Sequence, residues 1–147
     1  MLTEIKYKTE CDKINPVNNI EIVVSEMAKV MIVDDSPTEV HVLQTMLTKN
    51  GHEVVVATTG EESVDMAKVE MPDLILMDVV MPGMNGFQAT RQISKNAETS
   101  SIPVIMVTTK DQETDKVWAM RQGAKDYIVK PVQEKALIEH VNMVLSA

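Results

Sequence analysis

The chain has 147 residues, 44% of them hydrophobic, which suits one domain with a sizeable core; with only 3% aromatic, that core must rest on Val, Ile, Leu, Ala and 12 Met. A formal charge of −8 argues against a nucleic-acid partner, because nothing here would release phosphate counterions. The single Cys11 allows no internal disulfide, and no apolar run reaches transmembrane length or forms a signal-peptide core, so a cytoplasmic protein without membrane insertion is expected.

Residues 1–26 stand apart. Glu4, Lys6, Lys8, Glu10, Asp12 and Lys13 alternate in sign without a sustained apolar stripe, and Asn15-Pro16 and Asn18-Asn19 read as breaks. A loosely ordered extension is expected there, with Met27-Ala28-Lys29 as an alternative start of translation and one domain over residues 27–147.

From Lys29 the pattern is regular. Val30-Met31-Ile32-Val33 predicts a buried strand ending in Asp34-Asp35. Ser36 then caps a helix, Pro37 takes its first position, and Glu39 completes a capping box. Val40, Leu43, Met46 and Leu47 form its apolar stripe, and Asn50-Gly51 ends it. A second strand is expected from Glu53 to Ala57 and a short helix from Gly60 to Val69. Leu74-Ile75-Leu76-Met77 is apolar on both alternating faces, the mark of a strand covered by helices on both sides, and it stops at Asp78. The turn Pro82-Gly83-Met84-Asn85 leads to a helix from Gly86 to about Lys95. A fourth strand is expected from Pro103 to Thr108, a helix from Asp111 to Gln122, a last strand from Lys125 to Val129 and a last helix from Val132 to Leu145. Five strands alternating with five helices predict an α/β fold, a doubly wound parallel sheet in the order 2-1-3-4-5.

In that topology Asp34, Asp35, Asp78, Thr108 and Lys130 all end strands on one rim. Each has an ordinary explanation: a cap, a turn, a backbone-bonded hydroxyl, a surface charge. Together, complementary groups on four of five strand ends favour chemistry. Carboxylates about 4 Å apart repel by roughly 4 kcal/mol at an effective dielectric near 20, so some are protonated or a cation is bound. Oxygen-only ligands at an exposed edge suit Mg²⁺. With that charge offset, Asp78 can take a phosphoryl group as a carboxylate nucleophile, aided by Thr108 and Lys130.

The same residues carry a resemblance. Val33-Asp34-Asp35-Ser36, the run from Leu76 to Gly86, Val107-Thr108-Thr109 and Tyr127-Ile128-Val129-Lys130-Pro131 resemble the receiver domain of two-component response regulators, over about Lys29 to Leu145. Within the family, the stretches from Asp34 to Leu43, Asn85 to Gln92 and Thr108 to Trp118 resemble stand-alone receivers of chemosensory systems for type IV pilus twitching motility. The resemblance implies Asp78 as phosphate acceptor, with Mg²⁺ held directly by Asp35, Asp78 and the Val80 carbonyl and by Asp34 directly or through water. It implies that Thr108 follows the phosphoryl group and that Lys130, before a cis bond to Pro131, pairs with Asp78 or the phosphoryl oxygens. Tyr127 becomes the switch aromatic. The donor becomes a histidine kinase. The output becomes protein contact through the fourth helix, fifth strand and fifth helix, with Lys116, Trp118 and Met120 on that surface and the protein a monomer.

Val80 and Lys110 occupy the two positions at which family members vary beside the phosphoryl group. An apolar Val80 cannot orient an attacking water, so slow to moderate loss of the phosphoryl group is expected unless Lys110 or a partner assists. Trp118 has two readings, partly buried packing or partner contact. His41, His52 and His140 lack ligand spacing and read as structural or surface residues. A Mg²⁺-dependent aspartate-nucleophile phosphatase is the competing function, although Asp34 and Asp35 are adjacent and the loops are short for a substrate cap. A phosphate-sink receiver with no direct output is another. A flavin domain of this topology fits less well, because two carboxylates would face the flavin phosphate.

Overall fold

The computed structural model of the chain describes residues 27–147; the extension expected over residues 1–26, with Cys11, lies outside them. The described chain runs β1 (Lys29–Val33), α1 (Pro37–Lys49), β2 (Glu53–Ala57), α2 (Gly60–Glu70), β3 (Leu74–Met77), α3 (Gly86–Lys95), β4 (Val104–Thr108), α4 (Glu113–Arg121), β5 (Asp126–Val129) and α5 (Glu134–Leu145). All strand pairs are parallel and the sheet order is β2-β1-β3-β4-β5, as the alternation of elements predicts.

The period of two along each strand divides the core into two layers. Met31, Val33, Ile75, Met77, Val104 and Met106 face one side, where Ala67 of α2, Ala89 and Ile93 of α3 and Ala119 of α4 cover them. Val30, Ile32, Leu74, Leu76, Ile105 and Val107 face the other, against Leu43 and Leu47 of α1 and Leu137 and Val141 of α5. With both faces covered, β3 is buried along its whole length. Small residues on α2, α3 and α4 let those helices lie close to a sheet face that carries four long methionine and isoleucine side chains, Met31, Ile75, Met77 and Met106.

Helix starts depart from the sequence pattern in instructive ways. α4 begins at Glu113 rather than Asp111, because the Gln112 N–H donates to Asp115 Oδ2 at 3.2 Å and makes Gln112 the cap. α5 begins at Glu134 rather than Val132. The capping box expected at α1 forms by half. The Glu39 N–H donates to Ser36 Oγ at 3.4 Å, but the Ser36 N–H donates to Asp34 Oδ1 at 2.9 Å, so Glu39 has no donor to fold back onto. A complete box forms instead at α3, where Asn85 and Gln88 exchange backbone-to-side-chain bonds of 2.9 Å each.

Leu76 is 1% exposed in the layer against α1 and α5. Leu76→Ala is expected to lower unfolding stability by about 2 to 5 kcal/mol with little change in the denaturant slope, read by urea denaturation.

Candidate metal and phosphoryl site

Backbone bonds at the carboxyl ends of the strands fix the site residues. One step past β1, the Asp34 N–H donates to Ala57 O at 3.1 Å; one step past β3, the Asp78 N–H donates to Val33 O at 3.0 Å. The Lys130 N–H donates to Thr108 O at 2.8 Å just past β5. Asp34, Asp78, Thr108 and Lys130 thus sit on ladders, not on free loops. The Lys130-Pro131 bond is cis, as the resemblance implied.

Gly86 lets the loop after Asp78 fold tightly. Its N–H donates to Val79 O at 2.8 Å, and a Cβ at this position would lie 1.9 Å from the Asp78 carbonyl oxygen. No side chain fits there, so the first turn of α3 is laid directly over the backbone of the acidic residue.

One oxygen from each of Asp34, Asp35 and Asp78 lies within 4.8 Å of the others. At that spacing each ionised pair repels by roughly 3 to 4 kcal/mol at an effective dielectric near 20. Lys130 offsets part of this. Its side chain is 9% exposed, and its ammonium donates to Asp34 Oδ2 at 2.9 Å and lies 3.6 Å from Glu39 Oε1 and 3.8 Å from Asp78 Oδ2. Burial works against the Lys130 charge, yet Asp34, Asp78 and Glu39 together hold its pKa above the usual range. At Asp78 burial prevails: it pushes the carboxyl up, Lys130 pulls it down, and the Asp34 charge raises it again, leaving it above the ordinary range. The Val79 N–H, donating to Asp78 Oδ1 at 2.8 Å, favours the ionised form but does not reverse the shift.

The sequence predicted Lys130 beside Asp78 or a phosphoryl group. In this structure the lysine bonds Asp34 first and stands further from Asp78. Asp35 is exposed and leaves the acidic cluster open to solvent. Oxygen donors alone, one side open to water and a surplus of negative charge match the needs of a hard divalent cation such as Mg²⁺. Asp34, Asp35 and Asp78 fit that ion.

Thr108 is fully buried, in register with Val129 of β5, and its hydroxyl accepts the Lys110 N–H at 3.3 Å. The Tyr127 hydroxyl in turn donates to Lys110 O at 2.9 Å. One peptide segment therefore joins the threonine to the tyrosine, a link with no counterpart in the sequence pattern. Burial, then Asp115, Asp111 and Asp78, push the Tyr127 phenol up to about 12, so it donates as a neutral hydroxyl at neutral pH. Val80 is 62% exposed, and its side chain shares the lining of one open depression with Lys110, Asn85 and Phe87. On α4, Val117, Trp118 and Met120 are all about half exposed, so Trp118 is not a core residue; Lys116 beside them is partly buried. Among the described residues, His52 is buried and accepts the Ala28 N–H, while His140 pairs with Asp126 at the start of β5, both in structural roles.

Residues 30–142 match the family described as the response regulator receiver domain. The chain belongs to that family. It is 62% identical over 120 residues to protein PilH of Pseudomonas aeruginosa, covering 82% of this chain and 99% of PilH. Among solved structures, chemotaxis protein CheY4 of Vibrio cholerae superposes with a TM-score of 0.76 at 31% identity, over 80% of this chain and 98% of CheY4. The receiver domain of the sensor histidine kinase PA1611 from P. aeruginosa, with a magnesium ion coordinated in its active site cleft, superposes with a TM-score of 0.77 at 26% identity, over 82% of this chain and 99% of that domain.

Within this receiver the structure brings Asp34, Asp35, Asp78 and Lys130 to one cluster, seats Thr108 on the adjoining strand and leaves the Val80 side chain outside it. No helix among the described residues is long and apolar enough to cross a membrane. Glu39 joins the cluster unannounced, because Ser-x-x-Glu reads as a local cap.

The raised Asp78 pKa sets a pH dependence. The folded carboxyl holds its proton more tightly than an unfolded Asp, so its ionisation costs stability as pH rises through the ordinary aspartate range, and the cost persists above the folded pKa. Asp78→Asn is expected to raise the Tm at pH 7 in metal-free buffer, with the gain shrinking below pH 4; thermal scans across pH read both.

Proposed function

We propose that this receiver is a single-domain response regulator, residues 27–147 with an N-terminal extension before them, acting as a cytoplasmic monomer that takes a phosphoryl group on Asp78 from a histidine kinase. The observation that carries the reading is the convergence of three carboxylates and the Lys130 ammonium on one rim. Asp34, Asp35, Asp78 and the Val80 carbonyl would hold Mg²⁺, with Asp34 direct or through water. When bound, the ion offsets the carboxylate charge and that of the incoming phosphoryl oxygens.

Asp78 supplies the nucleophile. A carboxylate oxygen forms a bond to phosphorus while the P–N bond of the donor phosphohistidine breaks, and the imidazole nitrogen leaves with the electron pair. Lys130, already 3.8 Å from Asp78 Oδ2, moves onto the transferred oxygens, and Thr108 donates its hydroxyl to another. Thr108 holds the Lys110 N–H and Lys110 O holds Tyr127, so a shift of the hydroxyl pulls on the segment that tethers the tyrosine. That coupling supports Tyr127 as the switch and the surface of α4, β5 and α5, with Lys116, Trp118 and Met120, as the face presented to a protein target.

The identity with PilH supports a place in a chemosensory system governing type IV pilus twitching, either acting on a target or drawing phosphoryl groups from the kinase as a sink. The phosphatase reading gains no support, since Ser36 and Pro37 carry β1 straight into α1 with no room for a cap.

Incubation with acetyl phosphate and Mg²⁺ is expected to add one phosphoryl group, seen as a mass gain absent from Asp78→Asn and from the wild type in chelator. Sustained multi-turnover hydrolysis of small phosphate esters would instead favour the phosphatase. Val80→Asn, which places an amide where the exposed valine stands, is expected to speed loss of the phosphoryl group by roughly threefold to tenfold, below the full effect of a positioned base. An unchanged decay rate, read by mass spectrometry after removal of the donor, would count against the role given to Val80.

A further inference from the structure

We propose that Glu39 is a positioning residue that holds the Lys130 ammonium back from Asp78 and so limits the rate of phosphoryl uptake. This rests on the reading of Asp78 as acceptor. An ammonium has three protons to give, and three carboxylates surround this one. Asp34 takes the short bond at 2.9 Å, and Glu39 at 3.6 Å and Asp78 at 3.8 Å divide what remains.

Glu39 reaches the lysine for a local reason. In a Ser-x-x-Glu helix start the glutamate ordinarily folds back onto the N–H of the cap. Here that N–H, on Ser36, already donates to Asp34 Oδ1 at 2.9 Å. The folded-back rotamer has lost its donor, and the carboxylate extends to Lys130 instead. The same aspartate thus takes both the cap's donor and the lysine's strongest bond.

The contacts of Lys130 differ in how freely they can release it. The Asp34 side chain is 2% exposed and has nowhere to go, whereas Glu39 is 44% exposed and can swing into water. A phosphoryl dianion arriving at Asp78 needs the ammonium, and Glu39 opposes it twice, by competing for Lys130 and by like-charge repulsion. Removing the Glu39 charge while keeping its shape should release the lysine towards Asp78. A partly exposed ion pair is worth enough to change the rate by about two- to fivefold.

The test follows phosphoryl uptake from acetyl phosphate with Mg²⁺ by intact mass, for wild type and Glu39→Gln, at 0.1 and 1 M salt, with thermal scans of both. The expected result is a two- to fivefold faster uptake in Glu39→Gln at low salt, a ratio falling towards one at high salt as screening removes the competition, and a closely similar Tm. Placing Glu39→Gln in a Lys130→Gln background should shrink the difference to the part that like-charge repulsion supplies; a background too slow to measure leaves the decision to the salt series. An equal or slower rate in Glu39→Gln, a ratio independent of salt, or the same ratio without the lysine would overturn the proposal. Absence of uptake by the wild type would instead overturn the reading of Asp78, which separates the two failures.

Discussion

Everything at the carboxyl rim turns on one shared ammonium. Lys130 is nearly buried, and it lies between Asp34, Glu39 and Asp78. Without it, the acidic cluster would be a set of mutually repelling charges at the end of a buried sheet, each pair costing several kcal/mol at moderate dielectric. With it, the cluster is tolerable but not neutral, and Asp78 still holds its proton more tightly than an ordinary aspartate. The residual imbalance is the chemical resource. A surplus of negative charge on oxygen donors, open to water at Asp35, suits a hard divalent ion, and a cation there would make an anionic donor acceptable.

The fold supplies this arrangement through its ladders. Asp34 and Asp78 each continue the hydrogen bonding of β1 and β3 by one residue, so their side chains leave the sheet at nearly fixed positions. β1 and β3 are neighbours because the chain order crosses at that point, the place where open parallel sheets leave room for ligands. The absent side chain of Gly86 then lets α3 close over the Asp78 carbonyl, and the complete Asn85–Gln88 box fixes where that helix starts. On the far side, Thr108, Lys110 and Tyr127 form a continuous bonded path from the rim to the face of β5.

How much of this was legible in the sequence depends on how local each feature is. The strands announced themselves because both faces of β1, β3 and β4 are covered and nearly every residue there is apolar. The rim residues were legible because a strand end is a definite place in chain order, so Asp34, Asp78, Thr108 and Lys130 could be assigned before any distance was known. Glu39 escapes the capping-box rule because that rule is local, and a neighbour of the cap, Asp34, takes the donor the box requires. The preference of Lys130 for Asp34 over Asp78 was hidden for a related reason: sequence gives which groups share a rim, not which pair forms the 2.9 Å bond. The Lys110–Tyr127 link joins a loop carbonyl to a side chain on another strand, and no periodicity encodes it. Sequence leaves Trp118 open between partly buried packing and partner contact, because the exposure of α4, about half at Val117, Trp118 and Met120 alike, depends on how the helix is turned against the sheet.

The most direct test is a crystal structure of the protein with Mg²⁺ and beryllium trifluoride, a stable stand-in for the phosphoryl group. The account predicts the trifluoride on an Asp78 carboxylate oxygen, the metal among Asp34, Asp35 and Asp78, and Lys130 Nζ moved from Asp34 onto a fluorine. A trifluoride bound elsewhere, or Lys130 still on Asp34 with the trifluoride in place, would contradict it.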